Sequence, residues 1–138
     1  MQDKFTDKEK KVLEQAAFAA AVNGHSYIGS EHLLLGLIQV EDSLAYKVLQ
    51  NNDVTETKVL NLIYQLIAPD NAVSVKEPAG YTPRVRKILT NSIEEAARFK
   101  ADKVGTEHIL IAIMKETESV ASRLLNTMGV SIKKIYTE

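Results

Sequence analysis

The chain has 138 residues, 45% of them hydrophobic and 25% charged, with a net charge of −1 and no cysteine. That is the size and composition of one globular domain with a real core. It excludes disulfides, thiol chemistry and a basic surface for nucleic acid or anionic membrane.

Taken in chain order, Thr6-Asp7-Lys8-Glu9 reads as a capping box. It opens a helix with Val12, Leu13, Ala16, Ala17 and Ala20 on one face, ending at Asn23-Gly24. Ser30 is expected to cap a second helix, Leu33 to Val40, which is apolar nearly all round and therefore central. A third follows from Ser43, with Leu44, Ala45, Val48 and Leu49 facing inward, and a fourth opens at Thr55 and runs to about Ile67. Ala68 to Gly80, with turn chemistry at Pro69-Asp70-Asn71 and Pro78-Ala79-Gly80, is a linker.

The series then begins again. Thr82-Pro83 puts a cap before a proline at the first helical position, and Val85, Ile88, Leu89, Ser92, Ile93, Ala96 and Ala97 make a stripe of period 3.6. Thr106 is the expected cap of an apolar helix through Ile109 and Met114. Ser119 precedes Val120, Ala121, Leu124 and Leu125, and Ser131 opens a last helix. That helix stops several residues short of its counterpart, which reads as a boundary inside a longer protein. No apolar leader follows Met1, and no apolar run approaches the roughly 18 residues of a membrane span, so the expected setting is cytoplasmic.

A shift of 76 residues aligns Phe5–Val59 with Tyr81–Ile135 without a gap, and 14 of those 55 pairs are identical. Unrelated sequences of average composition would agree at roughly one position in fifteen. The strongest stretch sets Ile28-Gly29-Ser30-Glu31-His32-Leu33-Leu34 against Val104-Gly105-Thr106-Glu107-His108-Ile109-Leu110. Two copies are too few for a solenoid. The expected fold is an all-α domain of eight helices: two tandem four-helix repeats, 5–67 and 81–138, joined by a linker at 68–80 and related by a pseudo-two-fold.

No phosphate loop, nucleophile elbow or His-Glu-x-x-His zinc helix occurs, so neither catalysis nor ATP hydrolysis is expected of this domain. His32 and His108 recur with the repeat, each beside a glutamate. Adjacent helical residues point apart, and helical metal ligands sit three or four positions apart, so the Glu-His pairs are poor metal ligands. A histidine bonding a backbone group near the repeat interface accounts for them. Glu31 and Glu107 fall in the first turn, where the helix dipole favours an acid, yet they persist while neighbours such as Val40/Glu116 and Phe18/Glu94 diverge. Thr6 and Thr82 are helix caps, and the free N–H groups beside them suit an anion. On the residues alone, a structural role explains all four.

The duplicated Gly-Ser/Thr-Glu-His-Ile/Leu-Leu motif, with Phe5-Thr6 and Tyr81-Thr82-Pro83-Arg84 at the repeat starts, resembles the Clp N-terminal repeat domain over nearly the whole chain. The stretch Gly24 to Leu37 is especially similar to the ClpC branch. The resemblance implies a substrate- and adaptor-binding domain tethered to a hexameric AAA+ unfoldase that feeds the ClpP peptidase. The implied partners are substrate proteins and a MecA-like adaptor. ATP and magnesium belong to the ATPase modules of the parent protein, and this domain takes no cofactor or metal. It also implies two phosphoarginine sites, with Glu31 and Glu107 on the guanidinium and the helix starts at Thr6 and Thr82 on the phosphoryl group. Asp102 and Lys103, where the first copy has Ser26 and Tyr27, can alter the second site. The alternative is an adaptor-docking platform without phosphoarginine recognition. The isolated domain is expected to be monomeric.

Overall fold

The structure, a computed structural model, describes residues 4–66 and 80–130. Two ten-residue helices with no polar face set the architecture: α2 (Ser30–Gln39) and α6 (Thr106–Lys115). Leu33, Leu34, Leu35, Leu37, Ile109, Leu110 and Ile113 are all at most 1% exposed, so neither helix has a side to offer water. Amphipathic helices cover them. In the first repeat these are α1 (Asp7–Val22), α3 (Leu44–Asn51) and α4 (Glu56–Leu66). In the second they are α5 (Pro83–Arg98) and α7 (Val120–Thr127). α1 lies mainly on α2 and α5 on α6, while α2 also meets α7 and α6 meets α3, so one core runs through both repeats.

The close approach of α1 to α2 explains Gly36. A side chain there would come within 2.5 Å of the Val12 carbonyl oxygen, whereas the second copy carries Ala112 at this position. None of the described helices is long and apolar enough to cross a membrane.

The all-helical class and the repeated order of elements are as expected, with seven helices among the described residues. The eighth helix expected from Ser131, its early end, and linker residues 68–79 lie outside the described residues.

Three local expectations are corrected. Gly29 and Gly105, not Ser30 and Thr106, are the N-caps of α2 and α6. The hydroxyls are carried one residue into the helix and serve the other repeat: Ser30 Oγ accepts from Ala121 N–H at 3.0 Å, and Thr106 Oγ1 from Ala45 N–H at 3.2 Å. Each hydroxyl thus satisfies an otherwise orphaned donor at the start of α7 or α3. The second correction concerns the capping box at Thr6, of which only half forms. Thr6 Oγ1 accepts from Glu9 N–H, but Thr6 N–H donates to Val104 O at 3.0 Å, leaving the Glu9 carboxyl nothing to return to. Finally, Leu44 and Val120 do not face inward: they are 49% and 37% exposed.

Candidate functional site

The segments entering the helices cross between repeats. The residue before α1 pairs with the segment entering α6, through Thr6 N–H to Val104 O and Val104 N–H to Lys4 O, at 3.0 and 2.6 Å. The residue before α5 pairs with the segment entering α2, through Ile28 N–H to Gly80 O and Thr82 N–H to Ile28 O, at 2.8 and 3.0 Å. Both are short parallel bridges, Phe5 to Val104 and Ile28 to Tyr81. Their consequence is that the N-terminus of each sixteen-residue helix faces the Gly-Ser/Thr-Glu-His turn of the opposite repeat.

A cavity lies at each crossing. The first, about 410 Å³, is lined by Gly29, Ser30, Glu31 and His32 from one repeat and by Thr82, Arg84, Glu118, Ser119 and Val120 from the other, with His25 and Tyr27. The second, about 270 Å³, is lined by Gly105, Thr106, Glu107 and His108 facing Thr6, Lys8 and Leu44, with Ala101 and Lys103. All nine residues of the second cavity have their 76-residue counterparts in the first. The four residues singled out in the sequence are therefore brought together in two pairs, and each pair joins the two repeats: Glu31 with Thr82, and Glu107 with Thr6.

The local geometry follows from the residues. Thr6 Oγ1 accepts from Glu9 N–H and Thr82 Oγ1 from Val85 N–H, both at 3.2 Å, which leaves the N–H groups of Asp7 and Lys8 at the start of α1 but only that of Arg84 at the start of α5, where Pro83 has none. The glycines leave room for the acids: a side chain at Gly29 or Gly105 would meet the carboxylate of Glu31 or Glu107 and oblige it to swing out of its place against the turn. Glu31 is 8% exposed and Glu107 half-buried, so each carboxylate is held against the turn rather than loose in solvent. A cation stands near each threonine. Lys8 Nζ donates to Asp42 O at 2.8 Å, while Arg84 pairs with Glu116 at 3.0 Å. Each cavity thus presents a carboxylate, a helix start with at least one N–H to spare, and a basic side chain that is also bonded to a neighbouring acidic residue.

His32 and His108 bond backbone groups, as expected, and are fully buried. Gly29 N–H donates to His32 Nδ1 at 2.9 Å and Gly105 N–H to His108 Nδ1 at 2.8 Å. In a neutral ring that arrangement puts the proton on Nε2, and His32 Nε2 meets His25 Nδ1. An Nε2–H tautomer has no lone pair for a metal, and no cluster of three or more metal-ligating side chains occurs among the described residues.

Glu9 was missed as anything but a cap. It is wholly buried in the first turn of α1, with neither carboxyl oxygen hydrogen-bonded. Burial, and then the charge of Glu107, hold its carboxyl well above the ordinary carboxylate range. Burial, and then Glu9, likewise raise the Tyr81 hydroxyl. Lys8, Arg84, Leu44 and Val120 were also not recognised as cavity residues. The shared offset could have found them, since both basic residues and both exposed apolar residues are paired by it.

Residues 4–133 match the family of the Clp repeat (R) N-terminal domain. The chain is 39% identical to the negative regulator of genetic competence ClpC/MecB of Bacillus subtilis. It is 37% identical both to the chaperone protein ClpB of Oceanobacillus iheyensis and to the ATP-dependent Clp protease ATP-binding subunit ClpC of Staphylococcus aureus. Each alignment covers 95% of this chain and 16% of the relative, so the chain spans about one sixth of the length of these proteins. Among solved structures, the ClpV N-domain in complex with a VipB peptide has the same fold. Its TM-score is 0.76 at 18% identity, covering 96% of this chain and 82% of that one. The duplicated turn motif, the crossed helix starts and the match over residues 4–133 lead to one conclusion: the chain belongs to the Clp repeat N-terminal domain family and is of the ClpC type.

Proposed function

We propose that this domain receives substrates and adaptors for a cytoplasmic ClpC-type ATP-dependent unfoldase that works with a ClpP peptidase, and that it recognises phosphoarginine-marked proteins at the two crossed cavities. The observation that carries the reading is the pairing of opposite chemistries in each cavity: a glutamate from one repeat facing a helix N-terminus and a cation from the other. A guanidinium presents a planar fork that a carboxylate meets with two charge-assisted hydrogen bonds. A phosphoryl group suits unpaired helix N–H groups. Phosphoarginine carries both groups on one side chain, and each cavity offers both partners.

The adaptor part of the reading is favoured by a different surface. Phe18 and Val22, one turn apart on α1, are 65% and 50% exposed, and Tyr64 of α4 bonds Asn23 beside them, so an apolar face stands open to a protein partner. ATP, magnesium and ring assembly belong to the remainder of the parent protein in this reading, and the domain alone is a monomer without a cofactor or metal.

Calorimetric titration with phosphoarginine tests the central claim. The unmodified domain should show two sites, Glu31→Ala and Glu107→Ala one each, and the double variant none. Hydrogen bonds to charged groups are worth about 1.5–3 kcal/mol each, so each loss should reach tenfold or more. Glu→Gln should restore little, because the amide lacks the charge and one acceptor. A double variant that binds phosphoarginine as before overturns the reading and leaves both glutamates structural.

A further inference from the structure

The two cavities are alike in plan and opposite in charge. Glu31, Glu118 and Arg84 leave the first with one net negative charge, whereas Glu107, Lys8 and Lys103 leave the second with one net positive charge. One of the two charges of difference comes from a pair of equivalent positions at the rim, Tyr27 in the first copy, 53% exposed, and Lys103 in the second, also exposed; the other is Glu118, whose counterpart Asp42 lies against Lys8 just outside the second lining. The other cations are already engaged. Arg84 is 3.0 Å from Glu116, which also takes Lys87 at 3.3 Å, and Lys8 is held by Asp42. Glu118, at the first cavity, is compensated by Arg123 at 2.9 Å, so the unpaired difference between the two rims is the charge of Lys103. Lys103 has no ion pair or hydrogen bond among the described residues, and it stands between the second cavity and a smaller depression beside α5 that it lines together with Asp102 and Lys4.

Resting on the reading of both cavities as phosphoarginine sites, we propose that they sort marked segments by the charge around the mark. The Thr6–Glu107 site, through Lys103, takes phosphoarginine set among acidic residues. The Glu31–Thr82 site, with Tyr27 in that position and Glu118 at its edge, takes phosphoarginine among neutral or basic residues. Segments held at a cavity bring their flanking side chains to the rim, where Lys103 or Tyr27 stands. Exposed charges act across a screening length of about 10 Å at 0.1 M salt, so the sorting is a matter of severalfold preference and weakens with ionic strength.

The test uses the whole domain with one site left active at a time. Glu31→Ala retains the Lys103 site and Glu107→Ala the Tyr27 site. Each is titrated with free phosphoarginine and with two short peptides, one flanking phosphoarginine with aspartates and the other with lysines. Thermal melts establish that each variant is folded. At low salt the Glu31→Ala form should prefer the acidic peptide by about twofold to fivefold. That preference should vanish at high salt and on adding Lys103→Tyr. Tyr27→Lys in the Glu107→Ala form should install it. If free phosphoarginine binds both forms but neither distinguishes the peptides, sorting is overturned and the site reading stands. If free phosphoarginine binds neither form, the site reading itself fails, and the sorting with it.

Discussion

Under the Gly29 turn of the first repeat, His25 and His32 face each other with ring centroids 4.6 Å apart. At the corresponding place in the second, Ala101 has replaced one histidine and Phe99 lies beside His108 at 5.9 Å. Buried acids differ in the same way. Glu9 stands where the second copy has Val85, and Glu95, bonded to Lys115 at 2.7 Å, stands where the first has Ala19. The glycine, acid, histidine and cap agree in both copies, while His25/Ala101 at the edge of the lining and the buried acids Glu9 and Glu95 behind it differ. The four shared residues are fixed by their contacts with one another where the repeats cross, the others only by the need to be packed and satisfied.

The largest effect should be the same in both copies. Leu34→Ala and Leu110→Ala each empty a fully buried position in a central helix and should cost about 2–5 kcal/mol in chemical denaturation. A difference of more than about 2 kcal/mol between them would show that the two central helices do not carry equal shares of the core.

Glu9 sharpens the contrast next. Glu9→Val, which copies Val85, removes a buried carboxyl with no partner and should stabilise the domain at neutral pH by about 1–3 kcal/mol. Because the folded-state pKa of Glu9 is raised, its protonated form favours folding. That contribution is intact below the ordinary carboxylate range and is lost as pH climbs through the raised value. The gap between variant and parent should therefore widen with rising pH above about 4.5 and be smallest and level below it. A gap that stays flat across that range would mean Glu9 finds a partner in solution.

Smaller effects probe the crossing contacts. Ser30→Ala and Thr106→Val each remove the hydroxyl that accepts an N–H from the other repeat and should cost about 1 kcal/mol, as helix caps do. The smallest concerns two turns. After α1 the left-handed residue is Gly24, with φ 75°, but after α5 it is Lys100, with φ 57°; after α3 it is Asp53 and after α7 Gly129. Lys100→Gly and Asp53→Gly should each stabilise by roughly 0.5–1 kcal/mol, by relieving the side-chain clash of that conformation. Melting temperatures of the two single variants and the double variant check both the sign and the additivity.

Periodicity disclosed the helices, because an apolar helix such as α2 can only be central, and self-comparison disclosed the duplication. The sequence could not show that Ser30 and Thr106 cap the opposite repeat. A hydroxyl one residue from a helix start looks the same whether it serves its own N–H or one 91 residues away. Glu9 was misread for a related reason. Its position fits a reciprocal cap, but a backbone bridge to Val104 had already taken the donor, and no local rule registers a competitor from across the fold. Leu44 and Val120 look inward by period, yet they sit at the rims of cavities that exist only once the repeats meet.

The crossed arrangement also bears on how such a domain can come into being. A single repeat carries two half-sites and no whole one, its acid at one end and its helix start at the other. Two separate copies meeting face to face would complete both sites in one event, as a self-complementary dimer does. Recognition by such separate copies would fall with dilution, since the pair must assemble before either site exists. Joining them in one chain makes the partner always present, and it frees the copies to differ. Positions such as Tyr27 and Lys103, necessarily identical in a dimer of one gene product, can then diverge, as the sorting proposed for the two cavities requires.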